Sequence, residues 1–203
     1  MLSSESEIFL FGFLIGSITI DQFENWIYQT ESLESEIPRQ AYLELLDLHY
    51  ADRHADLEIK RILLSFVDLG RFEDWKLRGI LRSIVEKDTI AIQSIDNCYD
   101  LYCSGYYFLE IIALGFALHL RTLNYETSDW RLIPAETVEN TLNSFYPRVR
   151  NEAIRILALL DDKKIVLTGR QAVSDNKLEY IDNQSPAERE ISNFNNIKNV
   201  YVR

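Results

Sequence analysis

The densest set of side chains able to bind a metal or move a proton is the run from Asp47 to Asp56. Asp47, His49, Asp52, His54 and Asp56 place three carboxylates and two imidazoles within ten residues. Imidazole and carboxylate together suit several divalent ions. The spacing, however, is neither the two-histidine helical pattern of a zinc protease nor the alternating acidic loop of an EF-hand. A solvated turn leading into a helix, with Asp52 or Asp56 as its cap, accounts for the same residues. No metal and no other cofactor is expected.

A second pair is Glu110 and His119, the ionisable groups in an otherwise apolar stretch between Tyr106 and Leu120. A carboxylate withdrawn from water can serve as a general acid or base. Nine residues apart on a helix, the two do not meet, and each needs a partner of its own if buried. The structural alternative is pairing with an arginine or with a hydroxyl among Tyr99, Tyr102, Tyr106 and Tyr107. Phosphate-cradling glycine loops and the GxSxG elbow are absent from the sequence. The chain therefore reads as a binding protein and not an enzyme, with catalysis by Glu110 or by the His49/His54 turn as the remaining alternative.

Charge points the same way. The formal net charge is -11, and residues 1–60 hold twelve acids against three bases. Phosphate recognition needs the opposite sign, so no nucleic-acid partner is expected. An anionic membrane surface would repel this part of the chain too. What such a field attracts is a basic protein, although acidity also serves solubility alone. The candidate contacts are Asp21, Glu24, Glu31, Glu34, Glu36, Asp47, Asp52 and Asp56, with Trp26 and Tyr50 as aromatic anchors.

These residues must be positioned by helices. Seven Gly and four Pro in 203 residues disfavour a many-turned β architecture. Thr19 and Gln22 form a capping box before the apolar set Ile20, Phe23, Trp26 and Ile27. Pro38 suits the first turn of a new helix. Residues 55–69 carry Ile59, Ile62, Leu63, Phe66 and Val67 on one face and stop at Gly70, and residues 72–87 repeat that pattern. Residues 101–123 are apolar almost all round, so a central helix surrounded by protein is expected there. Its apolar part, the fifteen residues from Tyr106 to Leu120 with two ionisable groups inside, is too short for a bilayer, which needs about 20. A polar loop, two helices begun by Pro134 and Pro147, and an asparagine-rich end complete the reading. Residues 164–169 and 177–182 change period and predict a two-stranded hairpin. A helix followed by such a hairpin also resembles the end of a winged-helix DNA reader, but no basic recognition helix precedes it.

The expected fold is thus all-α, a multi-helix bundle around a central apolar helix at about 101–123, with a small β-hairpin near 164–182. Residues 1–160 form the bundle, and 161–203 form an appendage packed on the same domain. Cys98 and Cys103 diverge by roughly 140° on a helix, so a bridge is not expected and a reduced, cytoplasmic setting is. The apolar run from Ile8 to Ile15 follows Glu5 and Glu7, the wrong sign for a signal peptide.

The run GSITIDQFENWIYQTESLESEIPRQAYLELLDLHYADRHADLEIKRIL, over about residues 16–64, resembles helical immunity proteins of polymorphic-toxin and contact-dependent growth-inhibition systems. The shared features are a Gly-Ser-Ile-Thr entry, a Phe-x-x-Trp helix, Tyr-Leu-Glu-Leu-Leu in the next helix and an acidic turn before a third. The resemblance implies a bacterial protein that neutralises one cognate toxin, often a nuclease, by occupying its active site or an adjacent exosite. It carries no individual interface residue across, so the contacts above rest on charge. A helical interaction or scaffold module without a toxin partner is the alternative.

Overall fold

The computed structural model describes residues 2–123, 129–173 and 176–191. Part of the expected polar loop and the asparagine-rich end lie outside them. The described residues are mostly helical, with one small two-stranded antiparallel sheet. None of their helices is long and apolar enough to cross a membrane. Contacts divide the chain into two units, Met1–Phe72 and Glu73–Arg203. The helix Leu69–Glu86 contains the boundary.

In the first unit, α1 (Ser4–Leu14) is capped by Ser3, whose side chain accepts from the Ser6 amide. In α2 (Ile20–Gln29), both halves of the Thr19/Gln22 capping box form, at 3.2 and 2.9 Å. A short α3 (Leu33–Glu36) and α4 (Arg39–Leu46) follow, the latter entered through Pro38 as expected. Leu10, Phe23, Leu33, Leu45, Ile59 and Leu63 have no solvent exposure, each removing about 1.5–3 kcal/mol worth of apolar surface from water. Phe13 packs on Phe23 with ring centres 4.5 Å apart, and Trp26 stacks on Phe9 at 4.3 Å.

α5 (Ala55–Leu64) ends earlier than its apolar pattern predicts. Asp68 is the cause. Its Oδ1 accepts from the amides of Gly70 and Arg71 at 2.9 and 3.1 Å, capping the next helix, α6 (Leu69–Glu86). Gly70, expected as a stop, therefore lies in the first turn of α6. Neither Asp52 nor Asp56 caps α5 with its side chain; His54 holds the N-cap position, and Asp52 accepts from the His54 amide at 2.8 Å.

The second unit is built around the chain from Tyr106 to Leu120, but not as one helix begun at residue 101. α7 (Ala91–Cys103) ends there, and Gly105 turns with φ +124. A Cβ on Gly105 would lie 2.7 Å from the carbonyl oxygen of Leu178, so the hairpin backbone passes where any other residue would obstruct it. The central segment then runs as a 3-10 turn (Tyr107–Leu109), α8 (Glu110–Ile112), a π-helical stretch (Ala113–Ala117) and α9 (Leu118–Thr122). Nor is it enclosed on every side. Tyr107 is 52% exposed and Leu118 37%, so uniform apolar composition concealed an open strip.

Ile112, Ala117 and Leu120 of this segment pack with Leu77, Leu81, Ile95, Phe145, Val149 and Ile156. The last three come from α10 (Ala135–Phe145) and α11 (Arg148–Asp161). The hairpin forms between β1 (Ile165–Gln171) and β2 (Leu178–Asp182), antiparallel, with Ile165 opposite Asp182 and Leu167 opposite Tyr180. Ile165 and Leu167 are buried in the core of this unit by the strand's two-residue period. A short α12 (Pro186–Ile191) ends the described chain. Cys98 and Cys103 are unbridged, the first buried and the second exposed.

Candidate functional site

All the acidic candidates lie in the first unit, which holds thirteen acids and five bases. Phe23 and Ile27 turn one face of α2 into the core. Asp21, Glu24 and Tyr28, at i, i+3 and i+7, occupy one flank beside that face, within about 60° of one another at roughly 100° per residue. Tyr28 is 57% exposed. Its hydroxyl reaches the Leu46 carbonyl at 3.4 Å, at the end of α4. Asp47 is the next residue and is exposed at the C-cap of α4. Asp21 and Glu24 thus share the flank of α2 that carries Tyr28, and Asp47 follows the carbonyl that the Tyr28 hydroxyl reaches.

Two expected anchors are placed differently. Tyr50 is only 6% exposed, and its hydroxyl donates to the Leu45 carbonyl at 2.7 Å. Burial, with smaller contributions from Tyr28 and Glu24, pushes its phenol well up. It is a core residue and unavailable as a docking anchor. Trp26 is half-buried against Phe9, leaving Tyr28 as the exposed aromatic of α2. Sequence reasoning passed over Tyr28, although its place about 120° from the Phe23/Ile27 face in the helical period was the available signal.

The remaining acids do not form a single group. Glu36 accepts from the Ser3 amide at 3.0 Å and from the Ser3 hydroxyl at 3.1 Å; the amide first, then the Ser6 side chain, hold its carboxyl down at about 2. It ties the start of α1 to α3. Asp56 pairs with Lys60 at 3.8 Å on an exposed helix face, where such pairs contribute little. Asp52 is engaged in the turn before α5. Glu31 and Glu34 are exposed, and no ion pair involves either among the described residues.

Between α4 and α5 an open groove of about 560 Å³ is lined by Gln40, Leu43, Glu44, Asp47, Leu48, His49, Arg61 and Ile62. Arg61 donates to Glu58 at 2.9 Å and to Glu44 at 3.1 Å. Glu44 also accepts from Gln40 at 2.9 Å, and these bonds, the Gln40 one first, lower its pKa.

No three His, Cys, Asp or Glu side chains converge as metal ligands among the described residues. His49 lines the groove, whereas the His54 ring accepts from Arg53 at 2.8 Å. In the second unit, Glu110 is half-buried, and its charge assists burial in raising the Tyr102 phenol. His119 is exposed, edge-on to Phe145 at 5.9 Å. The two therefore face different neighbours. A buried acid that periodicity did not mark is Glu7, paired with Arg71 at 2.6 Å.

The chemistry available on the first unit is cation recognition by exposed acids beside an exposed aromatic side chain. Compared with protein-family models, with curated proteins and with solved structures, the chain matches none.

Proposed function

We propose that this chain is an acidic, immunity-type binding protein that neutralises a cognate bacterial toxin domain by covering it in the cytoplasm. The single observation that carries the reading is Tyr28, exposed on the flank of α2 that bears Asp21 and Glu24, with its hydroxyl at the end of α4 where Asp47 stands. Acids gathered on one surface raise the encounter rate with a basic partner. A large, partly exposed aromatic ring then supplies the short-range contact that slows dissociation.

Co-expression with the neighbouring gene tests this directly. Cells expressing that gene alone should fail to grow; cells expressing both should survive, and the two products should co-purify. Charge reversal at Asp21, Glu24 and Asp47 together should lower the association rate at low salt by at least tenfold. Growth that does not depend on this chain refutes the toxin-neutralising role. Co-purification without any effect on growth favours an interaction module instead.

A further inference from the structure

We infer that the groove between α4 and α5 receives one arginine side chain from the partner, its stem on Leu43 and Leu48 and its guanidinium at Asp47. The inference deepens the proposed function and rests on the partner being basic. Its warrant is the electrostatics of one helix end. The last carbonyls of α4 carry roughly half a negative charge, and a basic residue near that end is the arrangement that favours the helix. α4 has no base in its last turn; Glu44 lies within that turn and Asp47 at the C-cap. Two carboxylates thus stand where the helix least favours them.

The neighbouring cation does not relieve Asp47, since Arg61 is bonded to Glu58 and Glu44. Beside these acids, Leu43 is 44% exposed and Leu48 half-buried, and Ile62 closes the wall. An open, partly apolar groove with the unpaired Asp47 carboxylate in its lining matches a side chain with an aliphatic stem and a cationic head. The planar fork of arginine fits a carboxylate through two parallel bonds, which an ammonium cannot make.

The probe is the synthetic peptide acetyl-Leu-Arg-Leu-amide, with a citrulline peptide of the same shape but no charge as its control. Both are titrated at low salt into the full-length protein while backbone amide shifts are followed. The arginine peptide should move the amides of Leu43, Asp47, Leu48 and His49 saturably, and the citrulline peptide should bind at least tenfold more weakly. Asp47→Asn should reduce arginine-peptide affinity by about tenfold, with the circular dichroism spectrum unchanged. Equal binding of both peptides, or shifts centred on α2 that Asp47→Asn leaves intact, overturns the groove assignment. Growth rescue by Asp47→Asn with undiminished partner affinity overturns it too while sparing the proposed function. Groove binding without any rescue by the parent chain has the converse meaning.

Discussion

If the acids at the end of α4 are held there for a partner's sake, removing one should stabilise the free protein while weakening its complex. Asp47→Asn is the cleanest case, because the side chain is exposed and makes no hydrogen bond or ion pair among the described residues. A charge in the last helical turn is worth about 0.3–1 kcal/mol, and here its sign is unfavourable. The matched variant is Asp21→Asn. It changes net charge identically but lies in the first turn of α2, where a negative charge is favourable. The two substitutions should therefore move stability in opposite directions by similar amounts, which separates the helix-end effect from relief of the overall negative charge. Amide hydrogen exchange of Leu45 and Ile59, both fully buried in the first unit, reads the opening free energy locally. Exchange should slow by about twofold to fivefold in Asp47→Asn and quicken by a similar factor in Asp21→Asn, since 1.4 kcal/mol is about tenfold. Both differences should shrink in 1 M salt, where screening acts within about 3 Å. Equal signs for the two variants, or a loss of stability in Asp47→Asn, would refute the helix-end argument.

Three further outcomes follow from the packing. Glu36 has a folded-state pKa depressed to about 2, so its contribution is fully present above the ordinary carboxylate range and is lost as pH falls through the folded value. Glu36→Gln should flatten the acid dependence of amide exchange at the start of α1 between about pH 4.5 and 2; an unchanged profile there counts against the Ser3 tie. Tyr106 is fully buried; its hydroxyl makes no short hydrogen bond among the described residues, and burial together with the nearby Glu73 carboxylate raises its pKa. Tyr106→Phe should accordingly change stability by less than about 1 kcal/mol, whereas Tyr106→Ala should cost about 3–5 kcal/mol, both by urea unfolding of the second unit. Gly105→Ala meets both a φ of +124 and the Leu178 carbonyl oxygen at 2.7 Å and should destabilise by at least about 2 kcal/mol. A thermal midpoint equal to that of the parent would contradict the close passage.

Where local chemistry decides structure, the sequence was readable. The Thr19/Gln22 capping box needs only residues three apart, and it forms. The period change at residues 164–169 and 177–182 is equally local, and the strands occur there with small shifts at their ends. The end of α5 was not legible, because the apolar period continues through Phe66 and Val67 while a competing side-chain bond from Asp68 stops the helix. The start of the central segment depended on a backbone contact between Gly105 and Leu178, residues far apart in sequence. For the candidate surface, composition shows where the acids crowd along the chain but cannot sort the aromatics among them. Tyr50 and Tyr28 are the same residue type, and only tertiary packing puts one hydroxyl on the Leu45 carbonyl and leaves the other ring in solvent.

The Gly105 passage also bears on the order in which the chain can fold as it is made. Ser104 offers its carbonyl to the Leu178 amide at 2.6 Å, and Lys177 donates to the carbonyl of Cys103. Ile165 and Leu167 also fill part of the core that the central segment needs. A ribosome that has released only the helices of the second unit has thus delivered an open cavity wall and an unsatisfied turn. The first unit, Met1–Phe72, is compact on contacts among residues synthesised before any of these. Newly made chains should therefore present their acidic half in finished form before the remainder closes, and a nonsense codon ahead of residue 165 should leave a product whose first part alone resists proteolysis.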